Sequence, residues 1–175
     1  MGKPRVAVFT LGGTIAMRAA SGEGVAPALS ASDLLAAVPG LDGAGVELRL
    51  QDVANKPGAS LSFGDLFGLA DAISAALGDG FAGAVVIQGT DTIEETAYLL
   101  DLLVASDAPV VVTGAMRNPS LAGPDGPANI LAAIRVAASD CARGLGCVVV
   151  MNDQIHAARW VAKSHRSRVG ISACY

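Results

Sequence analysis

The chain has 175 residues, 52% of them hydrophobic, 16% charged and 4% aromatic, with a formal charge of −4. A length of this order buries roughly two-thirds of the surface its unfolded chain exposes, so a single domain over residues 1–175 is expected. High apolar content with little charge excludes disorder, and the acidic balance without any run of Lys or Arg excludes a phosphate-backbone partner. A mean hydropathy of +0.50 points to extensive burial or an interface between copies of the chain. No apolar run reaches the roughly 18 to 20 residues of a spanning helix, and residues 6–11 are too short for a signal-peptide core, so neither membrane nor export is expected and the chain reads as cytoplasmic. Cys141, Cys147 and Cys174 lack CxxC spacing, and His156 and His165 have no cysteine at zinc-ligand spacing. No metal is expected, and the thiols read as structural.

In chain order, the apolar segments 5–11, 46–53, 83–88, 109–113 and 147–151 are short, rich in β-branched residues and bounded by Gly or Pro, as strands buried on both faces of a parallel sheet are. Segment 15–30, with Gly22, Gly24 and Pro27, has no strong periodicity and is expected to be a hairpin or flap over a crevice. Residues 32–38, 63–77, 92–105 and 127–142 carry helical spacing, with Asp91 and Asp125 as caps or turn residues and Gly78 and Gly144 as stops. Residues 171–175 suit a final strand. Strands alternating with helices predict an α/β fold: a three-layer, doubly wound, mostly parallel sheet of flavodoxin or Rossmann-like type, whose ligand crevice lies at the carboxyl ends of the strands.

Chemistry-bearing residues follow those strand ends. Leu11-Gly12-Gly13-Thr14 offers a tight turn, backbone N–H groups and a hydroxyl, without the G-x-G-x-x-G spacing of a dinucleotide site. Gln88-Gly89-Thr90-Asp91-Thr92-Ile93-Glu94 reads as a capping box in which Asp91 caps a helix and Glu94 reaches back, and that reading does not require Thr90. Asp125-Gly126-Pro127 is a turn that opens a helix. Lys163 is one of three lysines, with Lys3 and Lys56, and taken alone reads as an exposed residue after a helix-like turn.

Together, Gly12-Gly13-Thr14-Ile15-Ala16, Gly89-Thr90-Asp91-Thr92-Ile93-Glu94-Glu95-Thr96-Ala97, Thr113-Gly114-Ala115-Met116-Arg117, Asp125-Gly126-Pro127-Ala128-Asn129 and Met151-Asn152-Asp153 followed by Arg159 and Lys163 resemble the bacterial-type L-asparaginases, the threonine-nucleophile amidohydrolases. The resemblance runs from about residue 5 to the end of the sequence. It implies the asparaginase N-terminal-domain fold and cofactor-free hydrolysis of L-asparagine, with L-glutamine the second substrate, to the acid and ammonia through a covalent acyl-enzyme. It further implies a homo-oligomer, dimer or tetramer. Thr14 matches the nucleophile, Thr90 and Lys163 a proton relay, and Asp91 the group that binds the substrate's α-ammonium. Gly89 and Ala115 fall in the substrate-binding motifs. A threonine hydroxyl is a weak nucleophile that needs a neighbouring base, and a lysine serves only when burial or nearby cations lower its proton affinity.

The sequence departs from the family in three ways. Segment 21–27 has no tyrosine where the family places one. Pro57-Gly58-Ala59-Ser60 stands where the family carries a Ser-Gln or Ser-Lys pair, so Gly58, Ala59 and Ser60 are the expected substrate-binding substitutes. The family's smaller C-terminal domain is expected to be missing, leaving the catalytic N-terminal domain. An amino-acid-binding or regulatory module of the same fold is the competing expectation, and a nucleotide-binding domain rests on fold analogy alone.

Overall fold

In the computed structural model, residues 2–12, 17–19, 25–27, 30–117, 119, 122–163 and 172–173 are described. The elements are β1 (Arg5–Thr10), β2 (Met17–Ala19), β3 (Val25–Pro27), α1 (Ala31–Ala36), β4 (Glu47–Asp52), α2 (Phe63–Gly78), β5 (Gly83–Ile87), α3 (Ile93–Leu103), β6 (Val110–Thr113), α4 (Gly126–Ala137), β7 (Cys147–Met151), β8 (Gln154–Ala157), β9 (Val161–Ala162) and β10 (Ser172–Ala173). The main sheet has the order β4-β1-β5-β6-β7-β8, parallel throughout except for the antiparallel β8.

Alternation within each strand builds the two faces. Val6 and Val8 of β1, with Val85, Val111 and Val148, pack against α1 and α4 through Leu34, Leu35, Ile130 and Ile134. Ala7 and Phe9, with Val86, Val112 and Val149, pack against α2 and α3 through Leu69, Ile73, Ala97 and Leu100. This is the expected three-layer arrangement. Each large side chain removed from water contributes about 1.5–3 kcal/mol, so the central strands are fixed from both sides. Both α1 and α2 open with a reciprocal capping box, Ser30 with Asp33 and Ser62 with Asp65. The Lys56 ammonium, 2.8 Å from Asp65, and the Ser62 hydroxyl and N–H hold the Asp65 carboxyl well below its usual range.

Three expectations from the sequence need correction, and one element was not anticipated. β4 is an edge strand paired only with β1 and largely exposed, not buried on both faces; Glu47-Leu48-Arg49-Leu50-Gln51-Asp52 alternates as an edge should. The fourth helix ends at Ala137, because Ser139 turns extended and a separate 3-10 turn covers Asp140–Ala142. Gly78 lies inside α2, and the left-handed residue past the helix end is Gly80, at φ +81°. Finally, residues 151–157 form a β-hairpin that periodicity did not reveal. Asn152 and Asp153 both have positive φ, 53° and 56°, as a two-residue primed turn demands, and Met151 pairs with Gln154 across it.

Of the expected 15–30 hairpin, β2 and β3 pair antiparallel, with Met17 opposite Pro27. The expected final strand is present as β10, which pairs with β9. Residues 13–16, 20–24, 28–29, 164–171 and 174–175 lie outside the described residues.

Candidate functional site at the carboxyl rim of the sheet

Strand order reverses between β1 and β5, since the chain passes from β1 outward to β4 and then returns to the opposite side of β1 as β5. Loops leaving β1 and β5 therefore diverge and open a crevice, the usual ligand position in doubly wound sheets. Thr10 pairs with both Asp52 and Ile87, and Ile87 with Thr113, so the carboxyl ends of β4, β1, β5 and β6 stand level along one rim.

The loop after β1 is pinned before it reaches Thr14. Leu11 N–H donates to the Ile87 carbonyl at 2.9 Å, and Lys56 N–H donates to the Leu11 carbonyl at 2.9 Å. Gly12 sits at φ +93°, where a Cβ would lie 2.8 Å from Lys56 N and 3.0 Å from Asn55 Oδ1, so only glycine fits. Thr14 and its neighbour Gly13 are outside the described residues.

After β5, the fully buried Gln88 donates its N–H to the Thr113 carbonyl at 3.0 Å and its Nε2 to the Gly89 carbonyl at 3.2 Å. The chain then turns through the 3-10 segment Thr90–Thr92 into α3. The expected capping box is absent here. The residue at the head of α3 is Thr92, which makes no side-chain cap because its hydroxyl donates to the Gly58 carbonyl at 3.1 Å. Asp91 is an exposed residue of the turn, and Glu94 reaches away from the helix to accept the backbone N–H of Lys163. The bond to Gly58 brings the Gly58–Ser60 turn against the Thr90 turn, with Gly58 buried and Ala59 and Ser60 exposed.

Lys163 follows β9 directly and does not come after a helical turn; its side chain is only 12% exposed. Nζ donates to Thr90 Oγ1 at 2.9 Å and to Asp91 Oδ1 at 3.2 Å. Thr90 is itself buried, and Nζ donates into one lone pair of its hydroxyl. Three of the four residues expected to carry the chemistry, Thr90, Asp91 and Lys163, are thus in mutual contact.

A second network fixes the rim at β6. The Asp125 carboxylate accepts Met116 N–H at 3.0 Å and Arg117 N–H at 2.9 Å, holding the segment after β6 at the head of α4. Buried Asn129 donates Nδ2 to the Gly114 carbonyl at 2.9 Å and accepts Asn152 N–H on Oδ1 at 2.9 Å, tying β6, α4 and the β7–β8 turn together. Neither Asn129 nor Asn152 stood out in the sequence as a rim tie. Ala115 turns its methyl into the α1/α4 core and offers the rim only its backbone. Burial pushes the Cys147 thiol well up, helped by the Asp101 charge, and a protonated buried thiol is no nucleophile. Among the described residues no group of three or more His, Cys, Asp or Glu side chains is placed to hold a metal ion, and no helix is long and apolar enough to cross a membrane.

Residues 5–171 match the family Asparaginase, N-terminal. An L-asparaginase of Bacillus licheniformis is 40% identical over 169 residues, covering 94% of this chain and 51% of that protein. L-asparaginase 2-3 of Saccharomyces cerevisiae is 40% identical over 164 residues, covering 91% of this chain and 45% of that protein. The crystal structure of a probable cytoplasmic L-asparaginase from Campylobacter jejuni superposes with a TM-score of 0.89 at 34% identity, over 98% of this chain and 52% of that one. The chain spans about half the length of these relatives. With its β4-β1-β5-β6-β7 parallel order and the Thr90, Asp91 and Lys163 cluster at the switch point, the chain belongs to the asparaginase family, in the part described as that family's N-terminal domain.

Proposed function

We propose that this chain carries the catalytic centre of an L-asparagine amidohydrolase. Thr14 Oγ attacks the side-chain amide carbon, the C–N bond breaks, ammonia leaves with the transferred proton, and water hydrolyses the resulting ester to release L-aspartate and regenerate the hydroxyl. Thr90 and Lys163 move the proton, Asp91 takes the substrate's α-ammonium, and Gly58, Ala59, Ser60, Gly89 and Ala115 line the substrate, the last through its backbone. The observation that carries this reading is the Lys163 Nζ at 2.9 Å from Thr90 Oγ1, an amine nitrogen and a hydroxyl within proton-transfer distance at the switch point. Free N–H groups where α3 begins favour the oxyanion of the tetrahedral intermediate, an interaction worth on the order of 3 kcal/mol per donor.

The protein acts without a cofactor, in the cytoplasm and as a dimer or tetramer. Exposed Phe63 and Phe67, stacked at 6.2 Å on α2, and exposed Tyr98 and Leu102 on α3 supply apolar surface for such an assembly. An ammonia-release assay on the purified protein, with its mass measured on the same sample, tests the proposal. Turnover of L-asparagine that disappears in Thr14→Ala and Thr90→Val is the expected outcome. Calorimetric binding of aspartate or asparagine by folded protein without ammonia release overturns it in favour of an amino-acid-binding module.

A further inference from the structure

A lysine that relays protons must hold Nζ within a few tenths of an ångström of its partner, yet its side chain has four rotatable bonds and a high conformational entropy. In this chain Lys163 lies just past the end of β9. Its Nζ is held by Thr90 and Asp91. Its backbone N–H is held by the Glu94 carboxylate, 69 residues away in sequence. All three partners belong to the 3-10 turn Thr90–Thr92 and the first turn of α3, one continuous element.

From this geometry we infer that Glu94 is a positioning residue: its carboxylate anchors the backbone of Lys163 to the same helix start that carries Thr90 and Asp91, fixing both ends of the lysine to one rigid body. Glu94 is partly buried in the first turn of α3, with its carboxylate reaching to Lys163. A charge-assisted bond from a carboxylate to a backbone N–H is among the stronger hydrogen bonds, and it is independent of substrate. The inference rests on the proposed amidohydrolase reading for its kinetic consequence but not for its structural one.

The test compares Glu94→Ala, Glu94→Asp and Glu94→Gln with the wild-type chain by two measurements, steady-state ammonia release from L-asparagine and amide hydrogen exchange at Lys163. Ala removes the acceptor, Asp keeps the charge and the helix-start preference but withdraws the reach by one methylene, and Gln keeps an acceptor at the right distance. Misplacing a reacting group by about 1 Å costs on the order of 100-fold in rate, so Ala and Asp are expected to lower kcat by about 10- to 100-fold with KM changed by less than about threefold. Lys163 exchange accelerates in both, and Gln recovers most of the rate and the protection. If Glu94→Ala does not fold, Glu94→Asp carries the same expectation. Unchanged Lys163 exchange in Glu94→Asp overturns the inference whether or not the protein turns over. A wild-type chain that releases no ammonia but shows the expected exchange pattern overturns the functional reading and leaves the anchor standing.

Discussion

Gly114 closes the gap between β6 and the turn that carries Thr90, and replacing it with alanine perturbs fold and site at once. A Cβ at this position would lie 2.6 Å from the Gln88 carbonyl oxygen and 3.2 Å from Thr90 Cγ2. The closer neighbour is backbone and has no rotamer to escape into. Reaching the 3.4 Å of ordinary contact moves the ends of β5 and β6 apart by about 0.8 Å, a typical overpacking strain of about 1–3 kcal/mol. The same movement strains the Gln88 N–H bond to Thr113 and the Asn129 bond to the Gly114 carbonyl, so about 1 kcal/mol more is lost. Gly114→Ala is therefore expected to destabilise the domain by about 2–4 kcal/mol in urea unfolding. Thr90 shifts with the strand end, and ammonia release is expected to fall by about 100-fold. Gly43→Ala, where nothing lies within 4 Å, is the matched control and stays within about 0.5 kcal/mol of wild type. A Gly114→Ala protein as stable as that control would refute the packing argument, whatever its activity.

Asn129→Leu keeps the branched shape of the side chain but leaves the Gly114 carbonyl and the Asn152 N–H without their buried partner, and urea unfolding is expected to show a loss of about 3 kcal/mol. Asp153→Gly relieves a side chain at φ 56° in the primed turn and is expected to raise stability by about 0.5–1 kcal/mol, read as a higher melting temperature. Burial lowers the His156 pKa below the ordinary 6.5, and Nε2 has no hydrogen-bond partner among the described residues. The unfolded chain then binds a proton that the folded chain refuses, so stability falls as pH drops below 6.5 and levels off below the folded value. His156→Gln is expected to flatten that slope in unfolding measured between about pH 7.5 and pH 5.5, and an unchanged slope contradicts the burial argument.

How much of this was legible in the sequence depends on whether local chemistry or distant contact decides each feature. The five parallel strands were legible because their apolar runs are set by burial on a sheet, and only the β4 edge escaped, since an edge strand differs from a central one by its neighbours. The β7–β8 hairpin was missed although Asn152-Asp153 is the kind of pair that tolerates positive φ; a two-residue signal between a hydrophobic run and the mixed Gln154-Ile155-His156-Ala157 is easily outweighed. Thr90 and Lys163 are 73 residues apart, and no spacing rule reaches that far. Only the family motifs brought them together.

The head of α3 shows why local rules fail where they do. Ser30 with Asp33, Ser62 with Asp65, and Thr92 with Glu95 all place a hydroxyl residue three positions before an acid at a helix start, the pattern of a capping box. In α1 and α2 the pattern is used as written. At α3 the Thr92 hydroxyl goes instead to Gly58, Asp91 to Lys163 Nζ and Glu94 to the Lys163 backbone. A side-chain cap contributes typically about 1 kcal/mol, and this helix start forgoes it to hold two other segments of the chain beside Thr90. Departures from local preference of this kind concentrate at functional sites, where long-range contacts outweigh them. The missing cap is therefore a sign, separate from any motif, that supports the proposed role of the start of α3.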